Sequence, residues 1–100
     1  MSNISKFIVE LIGTFFFISV ILSTINNKIS LGPLAPISIV VALLAVIYFG
    51  GSISGGHFNP AVSISMFLKN QINFTLLIGY IIFQIIGGCL AVVFNNFIYL

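Results

Sequence analysis

Three apolar stretches, Phe7–Ile25, Ile37–Phe49 with its continuation to about Ser52, and Phe74–Tyr99, leave this chain almost no sequence with which to face water. Crossing about 30 Å of hydrocarbon takes roughly 20 helical residues at about 1.5 Å each, and each stretch is near or beyond that length. Only Lys6, Glu10, Lys28 and Lys69 are charged, 4% of the residues, where a soluble domain carries roughly a quarter. Four charges cannot build a water-facing shell. The chain is therefore expected to be solvated by lipid, as a multi-pass integral membrane protein of the all-α class. The three lysines are scattered and form no basic patch, which argues against a nucleic-acid partner. Cys89 is the only cysteine and lies in an apolar run, so neither a disulfide framework nor a metal site is expected.

Phe7–Ile25 follows a lysine, as the apolar part of a signal peptide would. Glu10 within that run, and the lack of a small-residue cleavage pattern after it, predict instead a retained first span. Asn26-Asn27-Lys28 breaks the run, and Gly32, Pro33 and Pro36 predict a short loop leading into a helix started by proline. Beyond the second run Gly50, Gly51, Gly55 and Gly56 crowd together, and Asn59-Pro60 follows. Ala61–Leu68 is apolar again but far too short to span, and Lys69-Asn70-Gln71 ends it. Polar backbone at membrane depth is tolerated only against protein or a water-filled cavity. The glycine-rich segment is thus either a loop outside the bilayer or a re-entrant segment lining a cavity.

The residues of that segment have a readable chemistry. Pro60 suits a first helical position, where its fixed φ fits and its missing N–H costs nothing. Asn59 then falls at the N-cap, where its side-chain oxygen accepts an orphan backbone N–H. With the oxygen committed, the NH₂ points away from the helix as a fixed double donor, able to hold a water molecule through its oxygen. A helix from Pro60 to about Lys69 is about 15 Å long, half the hydrocarbon core. Its positive dipole end would disfavour cations and protons, an effect already known from the pores of water channels. Gly55 and Gly56 permit a tight turn that leaves carbonyl oxygens free to line a path.

The ten positions Ser54-Gly55-Gly56-His57-Phe58-Asn59-Pro60-Ala61-Val62-Ser63 resemble the first signature loop of the major intrinsic protein (aquaporin) family. Glu10 and Thr14, four residues apart on one helical face, are similar to the family's first-helix pair. Gln84, 25 positions after Asn59 in a stripe with Tyr80, Gly87 and Ala91, is similar to its third-helix glutamine. The resemblance extends over essentially all of residues 1–100 and implies one half of an inverted-repeat channel fold. That half comprises spans at about 7–25, 36–52 and 74–99 and a re-entrant loop with a half-helix at about 53–69. It implies passive movement of water or small neutral solutes such as glycerol. Asn59, Pro60, Ala61, Gly55, Gly56, Phe58 and His57, the last partly through its carbonyl, would line the pore. Ile39 would occupy a second-span position where relatives often carry an aromatic side chain. Glu10 and Gln84 would anchor the loop.

Two departures limit what the resemblance implies. The chain has no arginine, and Val62 follows the motif where the family's second motif is followed by arginine. The half-helix that should oppose Asn59 is also missing from these residues. The expected partners are therefore membrane lipid, water or a small neutral solute, and either a complementary half-channel chain or a second copy in a homo-oligomer. A non-conducting membrane remnant and a small dual-topology, proton-coupled exporter using Glu10 remain as alternatives. The exporter would need four spans, and Ala61–Leu68 is too short to supply one. One carboxylate and one histidine form no acid–base or nucleophile constellation, so no enzyme, catalytic residue, metal or cofactor is expected. Counting Lys6 and Lys69 against Lys28 predicts a cytoplasmic N-terminus in a cell membrane.

Overall fold

The computed structural model describes residues 2–26 and 32–99. They form four helices: α1 (Asn3–Thr24), α2 (Leu34–Ser54), α3 (Pro60–Leu68) and α4 (Phe74–Ile98). By length and composition α1, α2 and α4 can each cross a membrane, while α3, at nine residues, reaches only about 14 Å. The chain is thus an all-α membrane protein with one helix too short to span. Lys28, on which part of the orientation argument rests, lies outside the described residues.

The helix ends differ from the apolar runs for local reasons. α1 begins four residues before Phe7 because the Ser2 hydroxyl accepts the Ser5 N–H at 3.3 Å, an N-cap that hydropathy does not register. α2 begins at Leu34 and carries Pro36 in its first turn, where a missing N–H leaves no bond unmade. It stops at Gly55, whose φ of +94° is a left-handed C-cap and whose N–H closes on the Gly51 carbonyl at 2.9 Å. α4 starts at the Asn73 cap, where Oδ1 accepts the Leu76 N–H at 2.9 Å.

α1 lies between α2 and α4, and α3 leans on α4. Small residues set how closely these helices approach, as expected where lipid supplies no hydrophobic drive between them. A Cβ on Gly87 would stand 2.5 Å from the Leu11 carbonyl oxygen, so α4 rests directly on the backbone of α1. The apolar core is small: Val9, Val46 and Phe58, with Leu43 and Ile53 packed against them. The large apolar side chains of α2, among them Val40, Leu44 and Tyr48, point outward instead.

The segment between α2 and α3 does not stay at the helix ends. Asn59 and Pro60 share a cleft with Thr14 and Ile18 of α1 and with Gln84, Ile85 and Gly88 of α4. Those positions lie near the middle of α1 and α4, so the segment turns at Asn59 beside their central turns and continues into α3. Phe67 then meets Phe74 edge-on, at the start of α4.

Candidate functional site

The deepest polar group organises the loop. Glu10 is fully buried in α1, and four donors converge on its carboxyl. Oε1 accepts the Phe58 N–H and the Gln84 Nε2–H, both at 2.8 Å. Oε2 accepts the Ser54 hydroxyl at 2.6 Å and the His57 N–H at 3.1 Å. One carboxyl therefore ties together α1, the end of α2, the loop and α4. A re-entrant turn leaves backbone N–H groups with no helical partner, and in lipid each would carry the cost of an unmade bond. Glu10 takes two of them. Its own burial is tolerable only because donors surround it.

A second layer of bonds holds the partners of Glu10. Gln84 Nε2 also donates to Ser63 Oγ at 2.9 Å, and Ser63 Oγ meets His57 Nδ1 at 2.7 Å. The Tyr80 hydroxyl donates to the Ser54 carbonyl, and its ring stands edge-on to His57 with centroids 4.9 Å apart. The Gly56 N–H donates to Ser54 Oγ at 3.1 Å.

Phe58 shows how the loop is seated as well as bonded. Its φ is +52°, in the left-handed region that non-glycine residues rarely adopt. A Cβ on Gly13 would stand 2.1 Å from the Phe58 ring, and one on Gly50 would stand 3.3 Å from it. The ring fills a notch made by two glycines on two helices, and Phe58 is only 2% exposed. The strained backbone aims the N–H at Glu10 while the side chain plugs that notch.

Asn59 Oδ1 accepts the Ala61 N–H at 2.8 Å and caps α3. The NH₂ has no hydrogen bond among the described residues, and Asn59 is exposed. Two clefts flank the loop. One, of about 310 Å³, is lined by Asn59, Pro60, Phe58, Thr14 and Gln84, and the buried Thr14 Oγ1 and Gln84 Oε1 have no hydrogen-bond partner among the described residues. The other, of about 370 Å³, is lined by Lys6, Gly55, His57, Gln71 and Tyr80 on the side where α2 ends.

The structure thus brings together Glu10, Gly55, Gly56, His57, Phe58, Asn59, Pro60, Ala61 and Gln84. Ile39 stands apart, half-buried on α2 about four turns before the loop. Phe58 contributes to one cleft, although its ring is committed to the core. Sequence reading did not single out Ser54, Ser63 or the Tyr80 hydroxyl as parts of the network. Serines in an apolar helix are ambiguous in sequence, because most of them bond their own backbone. No group of three or more histidine, cysteine or acidic residues lies close enough together to hold a metal ion among the described residues.

Comparison with known sequences adds an independent line. The sequence model of the family described as "Major intrinsic protein" matches residues 40–100. "Glycerol uptake facilitator protein-like 6" of Lactiplantibacillus plantarum is 41% identical over 88 residues, covering 86% of this chain and 40% of that protein. "Aquaporin Z" of Photorhabdus laumondii is 37% identical over 92 residues, with the same two coverages. "Aquaporin-8" of Rattus norvegicus is 42% identical over 86 residues, covering 84% of this chain and 33% of that protein. The chain spans well under half the length of each of these relatives.

Proposed function

The chain belongs to the major intrinsic protein family, and on that premise we propose that it forms one wall of a membrane channel for water or small neutral solutes such as glycerol. One observation carries the reading: Asn59 Oδ1 is locked on Ala61, which leaves its NH₂ exposed at mid-depth beside the positive end of α3. A water oxygen or a solute hydroxyl can bind that donor, while a cation meets an unfavourable dipole. Thr14 and Gln84 add polar side chains to the lining of the same cleft.

With α1 between α2 and α4 and α3 against α4, Asn59 stays exposed, so a complementary wall is required. A further stretch of the same polypeptide, a separate half-channel chain or a second inverted copy would supply it. Lys6 and Lys69 lie at the end where α2 stops, the end we assign to the cytoplasm of the cell. The exporter alternative needs a carboxyl that cycles protons. Glu10 is instead fully buried, with both oxygens bonded to four donors, which favours a fixed anchor.

The test is a chimera in which this chain replaces the matching segment of Aquaporin Z, reconstituted in vesicles and read by osmotic shrinkage. The channel reading expects shrinkage well above empty vesicles, and Asn59→Asp in the chimera should depress it more than Cys89→Ser. A folded chimera that conducts no faster than empty vesicles overturns the reading. The chain reconstituted alone should raise the rate little. A large rise would instead assign the pore to copies of this chain.

A further inference from the structure

We propose that Ser63 is a positioning residue that fixes the tautomer of His57, so that the imidazole presents Nε2–H to acceptor oxygens of water or a hydroxylic solute in the cleft lined by Gly55 and Lys6. The ligand chemistry rests on the channel reading above, but the tautomer rests on hydrogen bonds alone.

The chain of donors starts at Glu10. Its Oε1 already accepts the Phe58 N–H, and Gln84 meets the same oxygen with Nε2. Turned the other way, the Gln84 amide would press its carbonyl oxygen against a carboxyl oxygen, so its orientation is determined. The second hydrogen on Nε2 goes to Ser63 Oγ. Ser63 Oγ is therefore an acceptor, and its single hydrogen must go elsewhere.

Helical serines commonly send that hydrogen to the carbonyl four residues back. Ser23, Ser38 and Ser65 do so here, bonding Ser19 O, Leu34 O and Ala61 O at 2.9, 3.0 and 2.8 Å. Ser63 makes no such bond among the described residues. Its remaining neighbour is His57 Nδ1 at 2.7 Å. If Nδ1 carried a hydrogen, Ser63 Oγ would accept from two donors and its own O–H would be stranded at a residue with no exposure. Stranding a buried donor is costly. The O–H therefore points at Nδ1, and the ring hydrogen of neutral His57 resides on Nε2.

Nε2 faces the cleft. A Cβ on Gly55 would stand 3.4 Å from it, and both residues line the cleft wall with Lys6, Gln71 and Tyr80. Nε2 has no protein partner among the described residues. As N–H it recruits oxygen acceptors and offers nothing to a cation. As a bare lone pair it would do the opposite. Ser63 thus sets the polarity of a wall it does not itself reach.

His57 is the only histidine in the chain, so a ¹⁵N-histidine label reports one ring. Long-range ¹H–¹⁵N spectra of the full chain in micelles, at a pH where the ring is neutral, should show a single Nε2–H tautomer. Ser63→Ala should shift the pattern to Nδ1–H or to a mixture, and Ser63→Thr should restore the parent spectrum. An Nδ1–H ring in the parent chain overturns the proposal, as does a Ser63→Ala spectrum identical to the parent's. If Ser63→Ala does not fold, the parent and Ser63→Thr spectra still decide. A conducting chimera with an Nδ1–H ring removes this inference alone, whereas a silent chimera with an Nε2–H ring removes only the channel reading.

Discussion

The seam between α1 and α4 is polar at both ends, and the two ends treat their polar atoms in opposite ways. At the level of Glu10, Tyr80 and Gln84, donors from two helices and a loop converge on one carboxyl of α1. At the level of Ser19, Ser23 and Asn95, the hydroxyls of Ser23 and Thr24 turn back on their own helix. Ser23 bonds the Ser19 carbonyl at 2.9 Å and Thr24 bonds that of Ile21 at 2.7 Å. The Tyr99 hydroxyl crosses the seam there, reaching Ser23 Oγ at 3.3 Å. Ser19 Oγ and Asn95 Oδ1 are buried without a partner among the described residues. A carboxyl can accept from several directions and is very costly to leave bare, so it recruits distant groups. A serine in lipid can be satisfied by a carbonyl four residues away and recruits nothing.

If that contrast is right, the largest effect should come from Glu10→Ala. It leaves four buried donors facing a cavity, each worth about 1–3 kcal/mol when unmade. The variant should lose several kcal/mol in denaturant unfolding followed by circular dichroism in micelles. A Glu10→Ala chain as stable as the parent would erase the difference between the two ends. Gly87→Ala should come next, at about 1–3 kcal/mol, because its methyl group meets the Leu11 carbonyl and not a side chain that can move. Asn59→Ala, which removes only the cap of α3, should cost about 1 kcal/mol in the same assay. Ser19→Ala at the opposite end should stay within about 0.5 kcal/mol of the parent. A loss there as large as that of Asn59→Ala would mean the second end is also a bonded structure.

What could be read from sequence followed from two kinds of signal. Apolar runs long enough for a bilayer locate α1, α2 and α4, because lipid demands that length and composition together. Asn59-Pro60 marks the start of α3, because a cap and a first-turn proline are local requirements. Glu10 draws attention in an apolar run, since a carboxyl there must have a reason. The sequence carries no comparable mark for Ser54 and Ser63, whose hydroxyls could equally have bonded their own backbone as Ser65 does. Nor does it show that Phe58 fills the notch of Gly13 and Gly50. That contact joins residues 45 positions apart from one end and eight from the other, and it depends on how α1 and α2 cross. Helix starts shifted for a similar reason: Ser2 extends α1 beyond its apolar run through one hydrogen bond.

The Phe58 notch also imposes an order of assembly. Gly13 belongs to α1 and Gly50 to α2, so the hole that receives the ring does not exist until those two helices have paired. The half-helix is tethered to the end of α2 and cannot be seated against an unpaired α1. Full seating of the Phe58 ring is therefore expected to follow the pairing of α1 with α2. A substitution that slows the pairing of α1 with α2 should therefore also delay the seating of Phe58.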